Sequence, residues 1–256
     1  MLSERQLRYL TAMGIPAWQA RHAADHSLVE ETAEVSASIE EPVATHLEAH
    51  PQVQPESTVS QGAPVLIDPS QLDWPALQEA VRTCQACPLA QTRTQTVFGV
   101  GDPQASWMFV GEAPGAEEDR QGLPFVGRAG QLLTAMIQAM GMKREEVYIA
   151  NMLKCRPPGN RDPRPEEVHQ CEGYLKRQVA LVQPKIMVAL GRIAAQNLLK
   201  TDESLAKLRG KVFRYGDAQI PLVVTYHPAY LLRNPADKAK AWQDLCFATH
   251  VAKAQK

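Results

Sequence analysis

No apolar run in these 256 residues reaches the ~18 that a membrane-crossing helix needs. The amino terminus also lacks the basic-then-apolar layout of a secretory signal. A cytosolic protein with no membrane partner is therefore the expectation. Residues 22–73 hold no Lys or Arg against ten Asp and Glu, and few large apolar side chains. Such a stretch cannot bury enough surface to offset the entropy of ordering it, and it reads as an acidic disordered linker. The absence of basic residues there hides an opposite bias elsewhere: residues 74–256 carry 24 Lys and Arg against 17 Asp and Glu, although the whole chain sums to −1. A polyanionic partner suits that second segment. There are only five cysteines. In a reducing compartment, four gathered cysteines point to a metal site rather than to disulfides.

What is present begins with residues 1–21. Ser3 and Gln6 have capping-box spacing, Leu2 and Leu7 that of a hydrophobic staple, and Leu7, Leu10 and Met13 share a helix face that Gly14 can end. Ile15 and Trp18 follow with no local core to cover them. The peptide therefore either docks on its own domain or anchors a partner. From 74 onward the pattern becomes α/β. A short helix over 74–81 leads to the pair Cys84/Cys87, and strands are predicted at 107–110, 147–150, 186–190 and 222–226. Helical patterns over 132–140, 168–182, 192–199 and 236–252 alternate with them. This implies a three-layer α/β/α domain over 74–256 with a central, mainly parallel four-stranded sheet.

In such sheets, ligands sit beyond the carboxyl ends of the strands. Gly111-Glu112-Ala113-Pro114-Gly115 follows the first predicted strand, Asn151 the second and His227-Pro228-Ala229-Tyr230 the fourth, so three polar clusters converge on one edge. Cys84, Cys87, Cys155 and Cys171 supply four thiols whose spacing fits a four-cysteine zinc site or an iron–sulfur cluster equally well. Cys246 shares a helix face with Trp242, Leu245 and Thr249 and reads as a small core residue.

Taken together, these motifs resemble family 4 uracil-DNA glycosylases. The resemblance is carried by Cys84/Cys87, by 111–115 running into Glu117-Glu118-Asp119, and by Leu123-Pro124-Phe125-Val126-Gly127. It continues with Asn151, Lys154-Cys155-Arg156-Pro157-Pro158, Cys171, Leu208-Arg209-Gly210-Lys211 and His227 through Arg233. It implies an enzyme of base excision repair, acting on single- or double-stranded DNA as a monomer, with a 4Fe–4S cluster on Cys84, Cys87, Cys155 and Cys171. The cluster would hold Lys154, Arg156, Arg161 and Arg164 beside the DNA.

The implied chemistry fits the residue types. A base inside a duplex must be flipped out to be read. Phe125 would stack on uracil, and the Asn151 amide can bond O4 and N3 together. His227 and backbone amides near Ala113 would meet O2 as negative charge develops there. Other branches of the superfamily place a water-activating Asp where this chain has Ala113, which leaves the water's activator open with Glu112 as the nearest candidate. Leu231 would wedge into the vacated stack, with Arg233 and Lys211 on phosphates to either side.

Three competing readings stand beside this one. Relatives that trap the sugar covalently carry a Lys-Arg-Arg-Ile-His insertion, whereas this chain reads Pro157-Pro158-Gly159-Asn160-Arg161-Asp162-Pro163 there, so turnover is expected. A second is a non-catalytic polymerase accessory factor, to which the amino terminus lends substance; a third, an electron carrier, would not need Phe125, Asn151 and His227 at three strand ends. Residues 8–18 do resemble the start of the psi subunit of the bacterial clamp loader. That likeness implies the chi subunit as a partner, reached through an anchor on an acidic leash.

Overall fold

The structure, a computed structural model, describes Thr11 and residues 68–254. The amino-terminal peptide, apart from Thr11, and the linker up to residue 67 lie outside the described residues.

Six strands form one sheet: β1 (Val100–Gly101), β2 (Trp107–Gly111), β3 (Tyr148–Asn151), β4 (Ile186–Leu190), β5 (Val212–Tyr215) and β6 (Ile220–Thr225). Their order is β1-β3-β2-β4-β6-β5. The four inner strands are the expected parallel set, in register at Gly111 with Asn151, Met108 with Met187 and Leu190 with Thr225. The expectation of four strands is corrected by two antiparallel edge strands, β1 on β3 and β5 on β6. Both are short, and β5 alternates exposed and half-buried, so neither leaves a continuous apolar run.

The helices are α1 (Trp74–Thr83), α2 (Ala116–Gln121), α3 (Arg128–Ala139), α4 (Pro165–Val182), α5 (Arg192–Leu199), α6 (Leu205–Leu208), α7 (Pro228–Arg233) and α8 (Lys238–Lys253). Side chains of a strand point to alternate faces, and here that rule builds two cores. Met108, Val110, Tyr148, Ala150, Met187, Ala189, Leu222 and Val224 lie in one, together with residues of α1, α4 and α5. Phe109, Ile149, Val188 and Val223 lie in the other, with residues of α3, α7 and α8. Burial on both faces explains why the inner strands read as unbroken apolar runs.

One boundary moves and one burial expectation is corrected. Residues 68–73 belong to the folded part rather than to the linker: a Cβ on Gly173 would meet the Pro69 ring at 2.8 Å, and the Arg177 guanidinium donates to the Leu72 carbonyl at 2.5 Å. Cys246 is exposed, not core, because the inward face of α8 is Ala241, Asp244, Leu245, Ala248 and Val251.

Candidate active site

All four parallel strands end on one cavity of about 840 Å³. Glu112 and Ala113 come from the end of β2, Asn151 from β3, Gly191 and Arg192 from β4, and Tyr226 and His227 from β6. The loop after β4 offers only Gly191 and Arg192, and Arg192 reads equally well as the first residue of the next helix, so the sequence alone does not single it out. Only the general rule about strand ends could have flagged it.

Phe125 is buried and sits at φ 54°, a left-handed conformation that costs a bulky residue about 1–3 kcal/mol. Its loop is braced from several directions. The Glu118 carboxylate accepts from the Val126 and Gly127 amides at 3.0 and 3.2 Å, and Arg144 donates to the Pro124 carbonyl at 2.7 Å. The strained ring faces His227, with ring centroids 5.6 Å apart. Gly111 makes the arrangement sterically feasible, since a Cβ there would stand 2.4 Å from Asn151 Oδ1 and 2.7 Å from Phe125 Cζ.

Asn151 is buried, and its Oδ1 is the sole buried side-chain N or O among the described residues with no hydrogen-bond partner. A buried acceptor left unpaired costs about 1–3 kcal/mol. The cavity therefore presents a carbonyl oxygen that calls for an N–H donor.

His227 is held on its other side. Its Nδ1 accepts from the Ala229 amide at 3.1 Å, which leaves the ring proton on Nε2. Burial, with the Arg233 charge adding to it and Glu118 opposing, brings its pKa down to about 4. The imidazole is thus neutral at physiological pH, with one N–H free to donate. Gly191, at φ 93°, lets the α5 entry pass it closely; a Cβ there would lie 2.8 Å from the His227 Cβ.

Glu112 lines the same cavity, and among the described residues its carboxylate has no hydrogen bond or ion pair. Burial, with Asp162 adding and Arg192 opposing, raises its pKa above the ordinary carboxylate value.

Not every expected side chain arrives here. Leu231 is 1 % exposed and packs with Leu132, Met136 and Leu245, so it cannot be the wedge in this conformation. Pro228 opens α7, and the helical phase sends Pro228 and Leu231 to the core while Ala229, Tyr230 and Arg233 line the cavity. Lys154 is likewise buried, bonding the Asn151 carbonyl at 2.7 Å and Gln178 Oε1 at 2.6 Å, and is no DNA contact. Arg161 lines the cavity, but its guanidinium is committed to both oxygens of Glu167. Arg156 bonds Asn160 at 2.7 Å, and exposed Lys211 stands just ahead of β5; neither lines the cavity.

Residues 98–246 match the model of the uracil DNA glycosylase superfamily. A type-4 uracil-DNA glycosylase of Archaeoglobus fulgidus is 48% identical over 162 residues, spanning 60% of this chain and 81% of that protein. Another, from Pyrobaculum aerophilum, is 43% identical over 182 residues, 69% of this chain and 93% of the relative. The chain belongs to the type-4 uracil-DNA glycosylases. Within this type-4 chain the four matching cysteines come together, for Cys84, Cys87, Cys155 and Cys171 line a single pocket with Leu89, Leu153 and Tyr174. The Arg93 guanidinium donates to Cys155 Sγ at 3.0 Å and the Lys154 amide to Cys171 Sγ at 3.2 Å, the kind of support that bound thiolates receive. Burial pushes Cys155 up to about 11 and Cys171 up to about 12, so as free thiols both stay protonated. Among the described residues, no three Cys, His, Asp or Glu side chains are gathered closely enough to hold one metal ion.

Proposed function

We propose that the cavity takes a uridine flipped out of DNA and that Phe125, Asn151, His227 and Glu112 carry its hydrolysis. Excision of uracil from DNA, a hydrolase reaction of DNA repair, is the activity of this chain. How its residues do it is our reading. The observation that carries the reading is the orphaned Asn151 Oδ1 beside the Phe125 ring. The uracil N3–H completes that acceptor, and the Asn151 amide NH2 donates to O4. Cytosine reverses the pattern and would leave both partners unpaired.

With the base on Phe125, the neutral His227 donates from Nε2 to O2. As the C1′–N1 bond breaks, its electron pair passes to the uracil ring and O2 becomes anionic, so that hydrogen bond strengthens toward the transition state. Amides near Ala113 assist the same oxygen. Water adds to C1′ and gives its proton to Glu112, whose raised pKa and free carboxylate suit a base. Glu112 then loses its proton to solvent and the uracil anion takes one up, so the products are free uracil and an abasic site. Arg233 meets the DNA backbone at the cavity mouth, and Lys211, Arg156 and Arg161 extend a weaker positive fringe. Incubating the cluster-loaded protein with a single-uracil oligonucleotide tests this reading: alkali-labile scission at the uracil is expected, and no uracil release would overturn it.

Cys84, Cys87, Cys155 and Cys171 would hold a 4Fe–4S cluster. The donor set fits: four thiols share one pocket, and two of their sulfurs accept from N–H donors. When bound it supplies a crosslink from the chain ahead of the sheet to the loop after β3. A brown protein absorbing near ~400 nm is expected. Cys155→Ser should remove that band and lower the melting temperature; a colourless, zinc-loaded protein of unchanged stability would contradict it.

Residues 1–21 would serve as an anchor for the clamp-loader chi subunit on the acidic leash, keeping a monomeric enzyme with the replication machinery in the bacterial cytosol. Deleting 1–21 should abolish chi pull-down and spare cleavage of naked DNA. Undiminished pull-down would sink the anchor.

A further inference from the structure

The expected wedge at Leu231 is buried, yet its neighbour along α7 faces the cavity. Tyr230 stacks on Tyr226 with ring centroids 5.2 Å apart and planes 11° from parallel, and both line the cavity. The pair is fixed from behind. Arg209, the residue of the Leu208–Lys211 motif that the uracil chemistry does not use, lies 4.4 Å over the Tyr226 ring and donates to its hydroxyl at 3.2 Å. That guanidinium is itself clamped to both oxygens of buried Asp244, at 2.7 and 3.0 Å. The Tyr230 hydroxyl donates to Asp237 at 2.7 Å. Among the described residues no second ring or guanidinium covers Tyr230. Arg233 stands three residues on, at the spacing that puts two side chains on one helix face, and it too lines the cavity.

A rigid aromatic shelf with a cation beside it is what single-stranded nucleic acid binds: bases stack on the ring and the backbone follows the charge. The cavity supplies the room, since about 840 Å³ is of the size that takes a whole drug-sized ligand rather than one pyrimidine ring. We propose that Tyr230, held by Tyr226 and Arg209, is the stacking subsite for the nucleobase adjacent to the flipped uracil, with Arg233 on the intervening phosphate. It rests on the uracil-DNA reading of the neighbouring pocket. Stacking a neighbour there would hold the opened strand without an apolar wedge.

The test compares uracil release from single-stranded oligonucleotides in which the uracil is flanked by normal bases or by base-free linkers. Wild type should prefer the base-flanked substrate by roughly tenfold or more in kcat/KM, the range of one base–aromatic stack. Tyr230→Phe, which keeps the ring, should retain the preference, and Tyr230→Ala should lose it. A readout independent of cleavage uses 2-aminopurine beside a non-hydrolysable 2′-fluoro-deoxyuridine. Its fluorescence should be quenched on binding wild type and Tyr230→Phe, and not on binding Tyr230→Ala. A preference that survives in Tyr230→Ala, or a loss equal on both substrates, overturns the subsite while leaving the uracil pocket standing. Failure of wild type to release uracil from either substrate would remove the pocket reading, and the subsite with it.

Discussion

Replacing Asn151 by alanine is expected to lower kcat/KM on a single-uracil oligonucleotide by about 10³–10⁴-fold, with no loss of thermal stability. The two halves of that outcome have one cause. In the free protein Asn151 Oδ1 is buried without a partner, a standing penalty of about 1–3 kcal/mol. Alanine removes the unpaired acceptor along with the side chain, and the gain offsets the small cavity left behind. In the complex the same amide is the group that reads N3 and O4, so its loss is felt fully there. The measurement pairs steady-state cleavage with a thermal melt. A variant that melts well below wild type would assign Asn151 to the fold; one that cleaves uracil at near wild-type rates would remove it from the pocket.

That pocket is legible in the sequence because its parts are local. Gly111–Gly115, Asn151 and His227 each follow an apolar run long enough to be read as a strand, and the parallel order brings such ends together. What the sequence hides depends on partners far along the chain. Lys154 has the look of a surface cation in a basic loop, but Gln178, 24 residues on, supplies an acceptor that lets it be buried. Arg209 is given no role by its motif, and Asp244, 35 residues on, makes it a clamp behind Tyr226. Leu231 departs from expectation for another reason. A motif gives the position of a side chain in sequence but not the phase of the helix that carries it, and α7 starts at Pro228 in a phase that buries Leu231. The edge strands escape notice because each is short and half exposed, so neither carries the apolar signal of the inner four.

His227→Ala should cost about 10²–10³-fold in kcat with little change in KM, because its hydrogen bond to O2 gains strength only as the anion forms. His227→Gln, which keeps an N–H donor on a longer side chain, should recover part of the loss. The pH dependence separates this role from that of an ordinary acid catalyst. With a pKa of about 4 the imidazole stays neutral through the physiological range. Its titration therefore puts no inflection into kcat near about pH 6.5, the ordinary value for histidine. The same shift acts on stability with a definite sign. Between about pH 4 and 6.5 the unfolded chain binds a proton at this histidine that the folded protein does not. The His227 contribution is thus fully present above pH 6.5, is lost progressively as pH falls toward 4, and levels off below. In His227→Gln that part of the slope should vanish from melting temperatures recorded across the window. An inflection in wild-type kcat near about pH 6.5 that disappears in His227→Gln would mean the ring is charged during turnover, and the neutral-donor mechanism would fall.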